Sequence, residues 1–313
     1  MITCPESVRR DAVLQLAAAQ DERYRAKLTA AIKQALERFD PDWSGLLIKP
    51  DEQGKPAGAI WVEVLPGKEA NLWLPQLAYA GAADLLQAAT RWARGQGIRV
   101  MKTVLDVDDH PAAALLEANG FPQVVCLHYL GASPQAGVST PEAGRMTTFT
   151  QVGEVTFERF CELFAQVEEG SLDCPELQGI FTAEEALMGF RRQDVHAPAQ
   201  WYLVRCENED AGVLLLAPHP AAGNWELMYM GLVPAWRGHG LGRQVVDKTL
   251  RLAGEAGVNE VLLAVDERNT PARTLYEQAG FEVRARCVVH AWLMRTSTTS
   301  HHGVAKRAEV WVD

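Results

Sequence analysis

The feature that most constrains this 313-residue chain is that it repeats itself at an offset of 160 positions. Leu115-Leu116-Glu117-Ala118-Asn119-Gly120-Phe121 recurs as Leu275-Tyr276-Glu277-Gln278-Ala279-Gly280-Phe281. The register holds backwards without a gap through Ala112/Ala272, Pro111/Pro271, Asp106/Asp266, Gly97/Gly257, Ala93/Ala253, Arg91/Arg251 and Leu72/Leu232. Of the 50 positions from 232 to 281, 11 match their counterparts, most of them at glycine, proline or apolar residues. A fixed offset of this kind marks a duplicated unit. Whatever the second half folds into, the first half should fold into as well.

Apolar periodicity orders that unit. In the second half, 201–205, 212–217 and 224–233 read as strands, with the turn-rich 218–223 between the last two. Leu241, Val245, Val246, Leu250 and Leu252 recur near a period of 3.6, which predicts a helix over 238–256. A strand over 258–265 follows, then a helix over 270–279 opened by Pro271 and stopped by Gly280, then a strand over 282–293. The first half predicts the same order: strands 45–49, 57–64 and 70–76, helix 79–94, strand 99–106, helix 111–119 and strand 123–130. Helical sequence precedes each half, at 7–39 and at 155–167 with 183–191.

The fold class expected is α/β with a mixed sheet: two tandem domains, each mostly antiparallel and flanked by helices. Residues 131–144 are rich in Gly, Pro, Ser and Ala and lack apolar periodicity, as a linker does. The expected division is a first domain over 1–135, a linker over 136–147, a second domain over 148–293 and a tail over 294–313. The tail ends in a possible strand over 308–312.

Composition narrows the function. Thirty Lys and Arg against forty Asp and Glu give a net charge of −10, which argues against nucleic-acid and anionic-membrane partners and suits a cationic one such as an amine. With 48% hydrophobic and 22% charged residues the chain can build ordinary globular cores. It begins without an apolar signal region and contains no membrane-length apolar run, so a cytoplasmic location is expected. The six cysteines are scattered without a C-x-x-C pair and read as reduced thiols. No metal site is expected, and His301-His302 is too little to make one.

The strongest local motif is Arg237-Gly238-His239-Gly240-Leu241-Gly242-Arg243, at a strand-to-helix turn. Alternating glycines there leave backbone N–H groups unobstructed, and the helix dipole adds positive potential. That is a pyrophosphate cradle, with Arg237 and Arg243 able to add charge. Arg243 breaks the G-x-G-x-x-G pattern, and no P-loop is present. A purely structural turn is the alternative for the glycines alone.

The motif has company. With the strand ending Gly231-Leu232-Val233-Pro234, then Asn269, then Leu275-Tyr276-Glu277 and Gly280-Phe281, residues 148–293 resemble the GCN5-related N-acetyltransferase family. Residues 1–135 look like a worn second copy. The resemblance implies a splayed sheet and acetyl-CoA as co-substrate. It implies that Gly238, His239, Gly240, Leu241, Gly242 and Arg243, with Arg237, hold the pyrophosphate. The backbone of Gly231, Leu232 and Val233 then pairs with the pantetheine arm, Asn269 bonds that arm, and Tyr276 lies near the thioester sulfur. At His239 only the backbone is expected to matter.

Acetyl transfer by direct attack needs a base, an oxyanion donor and an acid. Tyr276 reads either as the acid or as a core tyrosine. Glu226 reads either as the base, its pKa raised by Trp225 and Leu227, or as an exposed strand residue. An N–H near Val233 would serve the oxyanion. Asp266 and Glu267 are expected to end a strand and face solvent.

The repeat tests the first half directly. The three cradle glycines become Ala78, Ala80 and Ala82, Arg237 and Arg243 become Leu77 and Ala83, Asn269 becomes Asp109, and Tyr276 becomes Leu116. The expectation is an acetyltransferase with one working site, acting on a small-molecule or peptide amine, of open oligomeric state. The rivals are an acyl-CoA-binding sensor without turnover and a peptide or protein N-terminal acetyltransferase.

Overall fold

A computed structural model describes residues 1–19, 22–37, 42–65, 67–135, 147–193 and 197–294. Apart from residue 147, the expected linker lies outside these residues, as do the expected tail beyond residue 294 and its strand over 308–312.

The first half runs β1 (Ile2–Thr3), α1 (Arg9–Ala19), α2 (Glu22–Glu37), β2 (Leu46–Pro50), β3 (Pro56–Leu65), β4 (Glu69–Trp73), α3 (Ala82–Gly95), β5 (Val100–Asp106), α4 (His110–Ala118) and β6 (Gln123–Ala132). The second runs β7 (Thr147–Gln151), α5 (Phe157–Glu168), α6 (Ala183–Gln193), β8 (Trp201–Cys206), β9 (Glu209–His219), β10 (Asn224–Leu232), α7 (Leu241–Glu255), β11 (Glu260–Asp266), α8 (Thr270–Gln278) and β12 (Glu282–Leu293). The α/β class and the repeated order match the expectation. Two short strands, β1 and β7, carry too little apolar alternation to be read from sequence. No described helix is long and apolar enough to cross a membrane.

The duplication is visible in its caps. Asp109 accepts from the Ala112 N–H at 3.2 Å to start α4, and Asn269 accepts from Ala272 at 3.3 Å to start α8. Gly120 and Gly280 close these helices at φ of 85° and 86°.

All twelve described strands form one sheet, ordered β1-β2-β3-β4-β5-β12-β6-β11-β10-β9-β8-β7. The halves have exchanged their last strands. β12 completes the first half by pairing with β5, from Cys287↔Asp106 to Leu293↔Val100. β6 completes the second by pairing with β11, from Val261↔Ala132 to Asp266↔Leu127. Shifting both partners of Leu105↔Val288 by the repeat offset gives Val265↔His128, which is also a pair. The two exchanged strands meet antiparallel with Leu127 opposite Cys287, so a pseudo-twofold axis passes between those residues.

Strand alternation loads both faces of each half. Leu214, Leu216, Trp225 and Leu227 pack beneath α7 with Val245, Val246 and Leu250. Val213 and Leu215 pack beneath α5 with Phe160, Leu163 and Phe164. The first half divides likewise between α3–α4 and α1–α2. Parallel strands β10 and β11 start side by side under this cover, and the site depends on where they part.

Candidate active site

β10 and β11 hydrogen-bond only over Asn224–Leu227 and Glu260–Leu263, then diverge. At the same point β10 shifts register against β9 between Leu227 and Tyr229, leaving Met228 as a bulge. A bulge bends and twists its strand, and the result is a cleft of about 480 Å³ between the splayed edges. Its walls include Met228–Leu232 of β10, Ala264 and Val265 of β11, and Asn269, Leu275 and Tyr276 at α8.

The free edge of β10 has a definite polarity. The Val233 N–H donates to the Ala211 carbonyl at 2.9 Å, on the β9 side. Ladder alternation then turns Gly231 toward β9 and the N–H groups of Met230 and Leu232 toward the cleft. Of the expected stretch Gly231, Leu232 and Val233, the Val233 N–H is thus already engaged by β9, and the Leu232 N–H is the one turned to the cleft. Gly231 is small for another reason: a Cβ there would collide with Val167, which lets α5 lie directly on the strand.

The cradle glycines also divide by role. Gly238 and Gly240 take φ of 76° and 80°, where L side chains are strained, and a Cβ on either would meet nothing within 4 Å. These two therefore open the turn, and they start α7 at Leu241 rather than at 238 as expected. No backbone carbonyl among the described residues accepts from the N–H groups of Gly238, His239 or Gly240, and Gly240 caps α7 without a side-chain bond. Backbone donors without a carbonyl acceptor, at the start of a helix and with open space around the two glycines, are an arrangement suited to a phosphate. Gly242 instead packs against Leu275, 3.0 Å from where its Cβ would stand.

The flanking arginines are already engaged. Arg237 donates to the Leu232, Gly170 and Val167 carbonyls at 2.9, 3.2 and 2.8 Å, binding the end of α5 to β10. Arg243 pairs with Asp247 at 2.9 Å and donates to the Gln278 carbonyl at 3.0 Å. They shape the cradle more directly than they charge it. His239 is exposed and meets the edge of Trp236.

Tyr276 projects from α8 onto the cleft wall and is 7% exposed. Burial, with the carboxylate of Asp173 adding to it, pushes its phenol well above the ordinary tyrosine value, so it stays protonated. Tyr229 lies across the cleft, its ring 4.8 Å from Phe164, and burial raises its phenol too, as do Glu168 and Asp173.

Sequence reasoning missed the segment that brings Asp173 here. The side chain of Asp266 is fully buried, not solvent-facing as expected, because this segment folds over it. Asp266 accepts from the Cys174 N–H at 3.2 Å and from Arg268, which also clasps Glu176 at 2.5 and 2.8 Å. Asp173 in turn accepts from the Asp266 N–H at 3.0 Å and from the Asn269 side chain. Asn269 is therefore held in place by Asp173 while it caps α8. Glu267 does face solvent in part, as expected.

Glu226 stands just before the splay, in the paired stretch of β10, and does not line the cleft. It contacts His219 at 3.1 Å, and both side chains are about half exposed, at 47% and 40%. Trp225 and Leu227 point to the α7 face, so alternation puts Glu226 on the opposite face. The apolar flanking expected of those two neighbours is absent.

The same corner of the first half is closed. β4 and β5 also pair briefly, over Glu69–Asn71 and Val100–Lys102. Ala82, however, donates to the Tyr79 carbonyl at 3.0 Å, and the Tyr79 ring folds against Gly58 and Gly81. A cavity of about 600 Å³ does open beside β4, toward α2. Its Glu63 is already bonded by Asn71 and Trp73 at 3.1 and 2.9 Å, and its Lys102 by Glu69 at 2.8 Å.

A strand edge that parts from its parallel neighbour at a bulge and runs into an open glycine turn defines a class of acyl-transfer fold. The Acetyltransferase (GNAT) family profile matches residues 165–281, and the chain belongs to that family. Mycothiol acetyltransferase of Thermobispora bispora is 30% identical over 73% of this chain and 82% of its own length. The mycothiol acetyltransferase of Beutenbergia cavernae is 30% identical over 64% of this chain and 73% of its own. A GCN5-related N-acetyltransferase structure from Sphaerobacter thermophilus superposes with a TM-score of 0.61 at 19% identity, over 94% of this chain and 93% of that one, a likeness of fold. The chain is thus an acyltransferase with tandem architecture.

Proposed function

We propose that the second half, residues 148–293, carries the one working site and transfers the acetyl group of acetyl-CoA to a primary amine, while 1–135 is a copy without a cofactor site. The observation that carries this reading is the contrast between the open turn at Gly238 and Gly240 and the closed corner at Tyr79. The donors of the turn and of α7 would hold the pyrophosphate. The Leu232 N–H would polarise the thioester carbonyl and receive the oxyanion.

The amine nitrogen attacks the carbonyl carbon, the N–C bond forms, and the C–S bond breaks. The departing thiolate takes the phenolic proton of Tyr276, which its environment holds until the charge on sulfur develops. Glu226, paired with His219 on the α5 face, takes the amine proton through water. Asp173 is a positioning group, because it is spent on Asp266 and Asn269. None of the six cysteines, all free thiols, is needed as a nucleophile. The unbridged thiols accord with a cytoplasmic setting.

The relatives' name makes the amine that acetylation would convert to mycothiol the first acceptor to try. The test mixes the full chain with acetyl-CoA and a panel of small amines and peptide N-termini while following release of free CoA thiol. Turnover on a small amine supports the proposal, and turnover on peptides alone moves the acceptor to that class. Tight CoA binding with no turnover on any amine would make the protein a sensor instead.

A further inference from the structure

We propose that Cys126, His128 and Glu267 form a zinc site on the seam where the two halves exchange strands. The three sit together because of that exchange. Cys126 and His128 are two apart on β6, so they share a face. β6 lies beside β11, and the Glu267 N–H bonds the Cys126 carbonyl at 2.8 Å, which brings the glutamate level with the pair. The ligand atoms all lie within 4.8 Å of one another.

The histidine supplies the pointer to a ligand. His128 is 1% exposed, yet neither ring nitrogen has a hydrogen-bond partner among the described residues. A buried, unpaired imidazole is costly and calls for a partner. Its Nε2 lies 3.4 Å from Glu267 Oε1, without the alignment of a hydrogen bond. That separation matches the roughly 3.3–3.4 Å edge of a tetrahedron whose N and O ligands stand about 2.0–2.1 Å from zinc.

The ligand chemistry agrees. Thiolate, imidazole and carboxylate are the three donor types of protein zinc sites, and a hard oxygen-seeking ion would not choose this mixture. One thiolate and one carboxylate neutralise a divalent cation, so the loaded site carries no net charge. The half-exposed Glu267 leaves an entry path, and a water can take the fourth position.

The repeat provides an internal control. The counterparts of Cys126, His128 and Glu267 are Arg286, Val288 and Val107. The same fold is therefore built on the other side of the pseudo-twofold axis without any ligand there. No ligand lines the cleft, so the ion would join β6 to the end of β11 and take no part in acetyl transfer.

The test titrates Zn²⁺ into chelator-treated full chain by calorimetry, and Co²⁺ in parallel by absorption spectroscopy. The expected result is one equivalent bound, with a thiolate-to-cobalt charge-transfer band and the intense visible bands of tetrahedral Co²⁺. Cys126→Ser should abolish the charge-transfer band, and Glu267→Gln should weaken zinc binding by at least about tenfold. His301→Ala/His302→Ala should change neither. His128→Gln risks the core, so the half-exposed Glu267→Gln variant carries the fold control: zinc should raise the melting temperature of wild type more than that of the variant at the same concentration. Absence of stoichiometric binding overturns the proposal. So does binding whose affinity is undiminished in both Cys126→Ser and Glu267→Gln, or that disappears with His301 and His302.

Discussion

Gly238 and Gly240 are glycine because the turn needs positive φ and open space, whereas Gly231 and Gly242 are glycine because neighbours press on them. A side chain at Gly240 meets no protein atom, so its effect should fall mainly on the ligand. Gly240→Val should abolish acetyl-CoA binding in a calorimetric titration, with a folding cost on the order of 1–2 kcal/mol for the strained conformation. Ala80→Val, at the matching place in the first half, should leave binding unchanged, and equal losses at both would refute a single site. Tyr276→Phe should lower kcat by roughly 10²–10⁴-fold with little change in acetyl-CoA affinity. Because burial holds that phenol above its ordinary value of about 10, wild type and variant should differ in amplitude across pH 6–9.5 but not in profile shape. A new inflection below about pH 9.5 in wild type alone would overturn the raised phenol value, and unchanged kcat in Tyr276→Phe would remove Tyr276 from the acid role. The cradle and Tyr276 were legible as motifs. Asp173 was not, because it reaches Asp266 across 93 residues of sequence, and no local pattern reports such a contact.

Among the elements, the bulge at Met228 and the C-terminal end of α5 set the shape of the cleft. Arg237 ties them through three carbonyls, a use of its charge that sequence reasoning gave to phosphate. Arg237→Met should lower unfolding free energy by about 1–3 kcal/mol, measured by urea denaturation, since it strands those acceptors. It should also raise the KM for acetyl-CoA by letting β10 relax toward β11. Most elements were readable because their apolar periods are clean and their caps conventional: Asp109 and Asn269 announce α4 and α8 in the same register. The strand exchange was not readable. β6 and β12 hold equivalent places in the repeat, so no local pattern says which half each of them completes.

At the scale of the whole molecule, the halves are joined by more than the sheet. Arg99, ahead of β5, grips Glu185 of α6 at 2.6 and 3.0 Å and the Ile180 carbonyl at 3.0 Å. Burial alone would raise the Glu185 carboxyl, but the Thr182 N–H and Arg99 outweigh it and hold the group below its ordinary value. Its contribution to stability is therefore full above about pH 4.3 and lost as pH falls through the depressed value. Arg99→Gln should destabilise the chain by about 1 kcal/mol at pH 7, and the gap from wild type should close in acid, as followed by urea midpoints. Cutting the chain should be worse. Residues 147–294 expressed alone would present β11 without β6, and are expected to aggregate unless residues 1–135 are supplied alongside, as sedimentation of the two preparations would reveal.

The exchange also has a consequence for birth on the ribosome. The open side of β5 ends at Asp106, but the strand that covers it begins at Glu282. At about 5–20 residues per second, synthesis leaves that edge waiting for roughly 10–35 s. The amino-terminal half cannot finish before the carboxyl-terminal half is made, so neither copy could have been lost from the gene without stranding the other.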